Sequence, residues 1–167
     1  MLYALLDFRG EGKKGRGAKR LLLEVLGSPK AIVEALLIQT ARAVLLVEGH
    51  SSLCVSIISV GDRESANRFH RELNAYYRKN LDRLPAPCRA LLQKNQMLSG
   101  CSHEKCRLVA ETAPKAIATL SEASRAHFKK VLEYLEALDI PYRIDHGLIV
   151  PSALQSEVIF EIRDADA

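Results

Sequence analysis

The sequence predicts an α/β fold, a sheet with flanking helices and a helical insertion, and three observations carry that expectation. Two short apolar runs, residues 2–8 and 21–26, bracket a polar stretch rich in glycine and lysine, the pattern of a long β-hairpin. Segments with apolar residues at helical spacing follow, and two of them stop at Gly49 and Pro141, residues that end helices. Between these segments, residues 53–60 are rich in Val and Ile, as strands are.

Taken in order, residues 30–48 read as a helix because Ile32, Leu36 and Ala43 recur near helical spacing. After the strand at 53–60, Gly61 and Asp62 supply a turn and an N-cap. The helix they open carries Phe69, Leu73 and Tyr76 on one face. Residues 84–120 are punctuated by Pro85, Pro87, Gly100 and Pro114, which predicts short helical pieces in a small irregular subdomain. Ser121 caps a helix lined by Phe128, Val131, Leu132, Leu135 and Leu138, and Pro141 ends it. Residues 142–150 and 157–163 read as strands parted by Pro151 and Ser152. The expected division is therefore 1–62 for the hairpin, helix and strand, 63–120 for the insertion, and 121–167 for the return to the sheet.

Composition bounds the function. At 48% apolar and 26% charged residues, the chain can bury a core and remain in solution. Its apolar stretches, such as 31–37 and 43–47, fall short of the roughly 20 residues a membrane span requires. The opening residues lack the basic leader of a signal peptide, so a cytoplasmic location with no membrane partner is expected. The four cysteines, Cys54, Cys88, Cys101 and Cys106, then point to free thiols or a metal site rather than disulfides. Lys and Arg number 14 against 9 Asp and Glu in residues 1–84, and 10 against 11 in residues 85–167. The basic first half suits a phosphate-bearing partner.

The stretch from His127 to Ile144, HFKKVLEYLEALDIPYRI, resembles the bacterial histidyl-tRNA synthetase family, in which a helix ending in a "leu-gly-ile-pro-tyr" turn leads to the histidine-binding loop. Further phrases match in the same order. Ile58-Ser-Val-Gly-Asp62 is similar to the family's "asn-ser-ile-gly-asp" strand end. Cys88-Arg-Ala-Leu-Leu-Gln-Lys-Asn95 and Cys101-Ser-His-Glu-Lys-Cys106, with Ala113-Pro114, resemble its insertion region. Glu24-Val-Leu-Gly-Ser28 and Ala35-Leu-Leu-Ile-Gln39 match as well. Phe8-Arg9-Gly-Glu11 looks like class II synthetase motif 2, with residues 13–20 as its loop. The resemblance covers nearly the whole chain. It implies a partial class II synthetase-like antiparallel sheet, made of the hairpin, residues 53–60 and the C-terminal strands, with a helical insertion subdomain.

Departures from the family pattern set a second expectation. The family's motif 1 precedes motif 2 and its motif 3 follows the histidine loop, and neither is matched here. The loop's "leu-val-arg-gly-leu-asp-tyr-tyr" is replaced by Leu148-Ile-Val-Pro-Ser-Ala-Leu-Gln155. Val150, Ala153, Leu154 and Gln155 provide neither the charge nor the hydrogen bonds that seat an imidazole and polarise a carboxylate. On these grounds the chain is expected not to be an enzyme.

The resemblance also implies candidate site residues. Arg9 and Glu11 match the motif 2 pair that touches ATP in the family, here a vestigial nucleotide site, so bound ATP is not expected. Lys13, Lys14, Arg16, Lys19 and Arg20 form a basic cluster on the loop that would approach the tRNA acceptor end, where cations neutralise phosphates and release counterions. Arg68, Arg71, Arg78 and Lys79 recur along the next helix beside Tyr76 and Tyr77. They read either as a phosphate-tracking face or as an ordinary solvated one. Cys88, Cys101, His103 and Cys106 compose a Cys3His set of zinc ligand types. Pro85 stands where the family often has a further Cys, and buried structural thiols are the alternative to zinc. No triad can be argued from His50, His70, His127 and His146, which have no consistent carboxylate or serine partner by spacing.

The sequence is thus read as a non-catalytic histidyl-tRNA synthetase-like protein that binds tRNA or another structured RNA. The alternative is an interaction or regulatory subunit that docks on, or completes, a synthetase or other enzyme. An incomplete sheet leaves an edge and an apolar face to cover, so a homo-oligomer or a larger protein partner is expected too.

Overall fold

The computed structural model describes residues 2–7, 20–25, 27–93, 101, 103–148 and 156–164. The two apolar runs at the start become strands β1 (Leu2–Asp7) and β2 (Arg20–Val25). They pair antiparallel, with Leu2 opposite Val25 and Asp7 opposite Arg20, the hairpin the sequence predicts. Helix α1 (Ala31–Val47) follows, then strand β3 (Leu53–Ser59) and helix α2 (Arg63–Lys79). Short helices α3 (Ala86–Gln93) and α4 (Glu104–Glu111) lead to α5 (Glu122–Ala137), β4 (Tyr142–Ile144) and β5 (Val158–Asp164).

The mixed α/β class holds, and three details of the expected sheet change. Among the described residues the hairpin is a two-stranded sheet of its own, while β4, β3 and β5 form a second sheet in that order. The central strand β3 pairs antiparallel with β5 but parallel with β4, so the sheet is mixed. Strand β4 also ends at Ile144. There Asp145 turns the chain, its side chain accepting from Gly147 N at 2.9 Å and its carbonyl from Leu148 N at 3.2 Å, a local bond that competes with the strand ladder.

Strand β3 is buried over all but Cys54, so each of its faces meets a different layer. Val55 and Ile57 pack with Ala35 and Ile38 of α1 and with Phe128, Val131 and Leu135 of α5. Beyond its upper end, Ile58 and Val60 join Phe69, Leu73 and Tyr77 of α2, and Cys88, Cys106 and Val109 from the short helices. Helix α1 buries Ala31, Ala35 and Ile38, whereas Ile32 and Leu36 are 50% and 43% exposed. Its residues are apolar nearly all round, and periodicity cannot choose a face on such a helix. In α2 the residue that enters the core is Tyr77; Tyr76 sits at the edge and donates its hydroxyl to Val109 O at 2.9 Å.

Both predicted N-caps are present. Asp62 accepts from Ser65 N at 2.8 Å at the start of α2, and Ser121 accepts from Ser124 N at 3.2 Å at the start of α5. Gly61 precedes the first of them at φ +74°, and a Cβ there would lie 2.7 Å from Leu120 Cδ2 and 2.8 Å from Ser65 Cβ. Gly61→Ala is therefore expected to cost at least about 1–3 kcal/mol through the left-handed backbone alone. Leu135→Ala, at a fully buried side chain, is expected to cost about 2–5 kcal/mol, and Leu138→Ala, 40% exposed, no more than about 0.5 kcal/mol. Urea midpoints of the three variants check the ranking.

Candidate functional site

The predicted site residues fall into three places. Arg9, Glu11, Lys13, Lys14, Arg16 and Lys19 lie outside the described residues, as do Val150, Ala153, Leu154 and Gln155; Arg20 opens β2 opposite Asp7. On α2, Arg68, Arg71, Arg78 and Lys79 are all exposed, away from the buried row Ser65, Phe69, Leu73 and Tyr77. Arg68 lies 3.7 Å from Glu64, an exposed i,i+4 pair that is worth little. The helix therefore presents a predominantly basic outer face held rigidly by an apolar inner one.

The third place is the cysteine and histidine group, which the fold does assemble. Cys88 comes from α3, Cys101 and His103 precede α4, and Cys106 is within α4. The Cys88 and Cys101 sulfurs are 3.5 Å apart, and His103 Nδ1 is 3.7 Å from the first and 3.3 Å from the second. These three ligand atoms lie within 4.8 Å of one another. Cys106 is buried and is outside that trio. The backbone N–H and ring of His103 draw the Cys101 thiol down to about 7. Burial, reinforced by the neighbouring sulfurs, pushes Cys106 up to about 12, and burial also raises Cys88. All four cysteines are free thiols.

The mixed sheet reveals a further polar surface that the sequence reading missed. Side chains alternate along strands, so Cys54 and Ser56 face away from the layer that Val55 and Ile57 meet. Across the sheet, Ser56 is in register with Arg143 on one side and Glu161 on the other, and Cys54 with Arg163. Arg143 Nε donates to Ser56 Oγ at 2.8 Å and its guanidinium lies 3.7 Å from Asp145. Arg163 donates to Glu161 at 2.8 Å. Two guanidiniums and two carboxylates thus line one sheet face, an arrangement able to meet a ligand carrying both charges. The signal was the alternation of Phe160 and Ile162, packed on the core, with Glu161 and Arg163.

One histidine also gains a partner that spacing does not show. His127 Nε2 is 2.6 Å from Glu34 Oε2, joining α5 to α1 across 93 positions of sequence. Burial raises the Glu34 carboxyl, opposed by the His127 ring.

Comparison with known proteins places this fold. No family model matches the chain. The histidine–tRNA ligase of Halothermothrix orenii is 33% identical over 156 residues, which span 93% of this chain and 37% of that enzyme. This chain is histidyl-tRNA synthetase-like. The histidine–tRNA ligase of Caldicellulosiruptor saccharolyticus is 27% identical over 168 residues, spanning 98% of the chain and 40% of the enzyme. The histidyl-tRNA synthetase of S. aureus, solved in its apo form, superposes with a TM-score of 0.59 at 24% identity, over 84% of this chain and 33% of that one. That likeness shows the fold, a partial class II synthetase fold. The synthetase-like chain spans about two fifths of the length of the relatives it matches.

The relatives correct one expectation. The chain was expected not to be an enzyme, yet the proteins it matches over most of its length are named as ligases, which weighs towards an enzymatic family. The expectation rested on motifs looked for before and after these residues, and on the stretch 148–155. A chain matching two fifths of its relatives says nothing about what adjoins it, and residues 149–155 lie outside the described structure. No helix among the described residues is long and apolar enough to cross a membrane.

The N-terminus of α2 supplies a pH test of this architecture. The backbone N–H of Ser65, and then the Ser121 hydroxyl at 2.7 Å, hold the Asp62 carboxyl at about 2, below its ordinary 3.8. A depressed carboxyl stabilises the fold above its unfolded pKa, and that contribution is lost as pH falls through the folded one. The difference in urea midpoint between the unaltered chain and Asp62→Asn is therefore expected to be full above pH 3.8 and to close as pH approaches 2.

Proposed function

We propose that this chain binds tRNA and serves in histidine–tRNA ligation, with the outer face of α2 and the basic residues Lys13, Lys14, Arg16, Lys19 and Arg20 as its RNA contact surface. The observation that carries the reading is the exposed set Arg68, Arg71, Arg78 and Lys79, opposite the buried row of the same helix. Cations spaced along a rigid helix can neutralise successive phosphates, and each phosphate so neutralised releases counterions. The ligase name of the relatives supports this class of RNA and this reaction.

A second reading concerns partners, and α1 favours it. Val47 is 87% exposed, and Ile32, Leu36, Val44 and Leu46 are each between 37% and 50% exposed. An apolar helix face open to water marks an interaction surface, so a second copy or a larger protein partner is proposed to cover it. Val47→Glu is expected to shift the chain towards monomer in light scattering without lowering its urea midpoint; an unchanged mass removes α1 as the interface.

Binding of labelled tRNA and of a DNA duplex across a salt series tests the main proposal. Affinity for tRNA is expected to fall linearly in log–log form and to exceed that for the duplex. Arg71→Ala with Arg78→Ala is expected to flatten the slope by about 0.7–0.9 for each phosphate no longer neutralised. Absence of tRNA binding at low salt would sink the proposal, as would a slope unmoved by neutralising both the helix and the loop. Attachment of histidine to tRNA, measured with the same protein, tests the ligation part separately.

A further inference from the structure

We propose that Cys88, Cys101 and His103 hold a zinc ion, with Cys106 as the fourth ligand, and that the ion fastens α4 to α3. Zinc in a structural site is tetrahedral, about 2.3 Å from thiolate sulfur and about 2.0 Å from imidazole nitrogen. Such a tetrahedron has S···S edges of about 3.8 Å and S···N edges of about 3.5 Å. The edges found are 3.5 Å between the sulfurs and 3.7 and 3.3 Å from the sulfurs to His103 Nδ1. All three fall within about 0.3 Å of one face of that tetrahedron.

The other readings of the group explain less. A disulfide would bring the sulfurs to about 2.05 Å, and at 3.5 Å Cys88 and Cys101 are not bonded. Simple packing of thiols accounts for buried Cys88 and Cys106 but not for an exposed histidine whose ring nitrogen faces two sulfurs. His103 is the N-cap residue of α4, yet its side chain makes no cap hydrogen bond. Its ring is directed to the sulfurs instead. Cys106 follows three residues later, on the same side of the first turn, and is buried. Thiolates with one imidazole are a soft set that suits zinc over magnesium or calcium.

The site has a defined mechanical consequence. Cys88 belongs to α3 and Cys106 to α4, so one ion would tie two helices too short to be stable alone. Helix α4 in turn meets α2 through the Tyr76 hydroxyl, which contacts Val109 O at 2.9 Å and Thr112 Oγ1 at 2.6 Å. The metal thereby fixes the layer that backs the basic face of α2.

The full chain, purified under reducing conditions, is loaded with zinc or with cobalt and gel-filtered. One retained metal per chain is expected, together with the intense visible bands of tetrahedral thiolate-bound cobalt. Cys101→Ser and His103→Ala, at positions with solvent access, are expected to weaken binding by at least about tenfold with helical content kept. Cys106→Ser is expected to lower the sulfur-to-cobalt charge-transfer intensity. Failure of the unaltered chain to retain metal overturns the proposal, as does undiminished retention by His103→Ala or a Cys88–Cys101 disulfide found by mass spectrometry. An unchanged cobalt spectrum in Cys106→Ser overturns that residue as the fourth ligand.

Discussion

The arrangement depends on the way two helices cap each other. Asp62 caps α2 and accepts from the Ser121 hydroxyl, while Ser124 Oγ accepts from Asp62 N at 3.0 Å and Ser65 Oγ accepts from Ser121 N at 2.9 Å. A helix start leaves orphan N–H groups, and here two starts satisfy theirs from one shared set of side chains. Ser65 and Ser124 are both buried, so each unmade bond would carry a desolvation cost. Neither helix can shift without uncapping the other. Glycine at position 61 is what lets the chain turn from β3 into this junction, since the space a side chain would need is filled by Leu120 and Ser65.

That junction sits at the end of β3 and sets the two layers against one another. Below it, α1 and α5 cover one face of the mixed sheet; beyond it, α2 and the short helices gather around Ile58 and Val60. The face bearing Ser56, Arg143, Glu161 and Arg163 keeps its charges where α1 and α5 do not reach. Strand alternation sets these charges opposite the face that α1 and α5 cover, but the lateral grouping depends on the parallel partner β4 arriving from α5. The likeness to S. aureus histidyl-tRNA synthetase is a likeness of this framework.

Ordered phrases from Phe8 to Ile144 pointed to the family that the relatives bear out. The step from unmatched motifs and altered loop residues to absent activity is overturned by relatives named as ligases. The cysteine set is the opposite case. Sequence could offer Cys88, Cys101, His103 and Cys106 as ligand types, but their spacing favoured buried structural thiols over zinc. Folding α3 beside the start of α4 brought three of their ligand atoms to tetrahedral edge lengths.

By itself the sequence determined the local elements: the hairpin, both helix caps, the amphipathic α5 and the strand at β3. Each is written in interactions between residues close in the chain, where spacing and turn chemistry decide the outcome. It also placed the exposed basic residues on one side of α2, since a strongly two-sided helix admits one orientation. Tertiary structure decided everything that joins distant residues. Among the described residues it left the hairpin apart from the second sheet, set β4 parallel to β3, and brought Glu34 to His127. It also turned the Ala31, Ala35 and Ile38 row of α1 inward, which a helix apolar on every side leaves open. Such choices are made by competition among faces for the same core, and no single segment contains the terms of that competition.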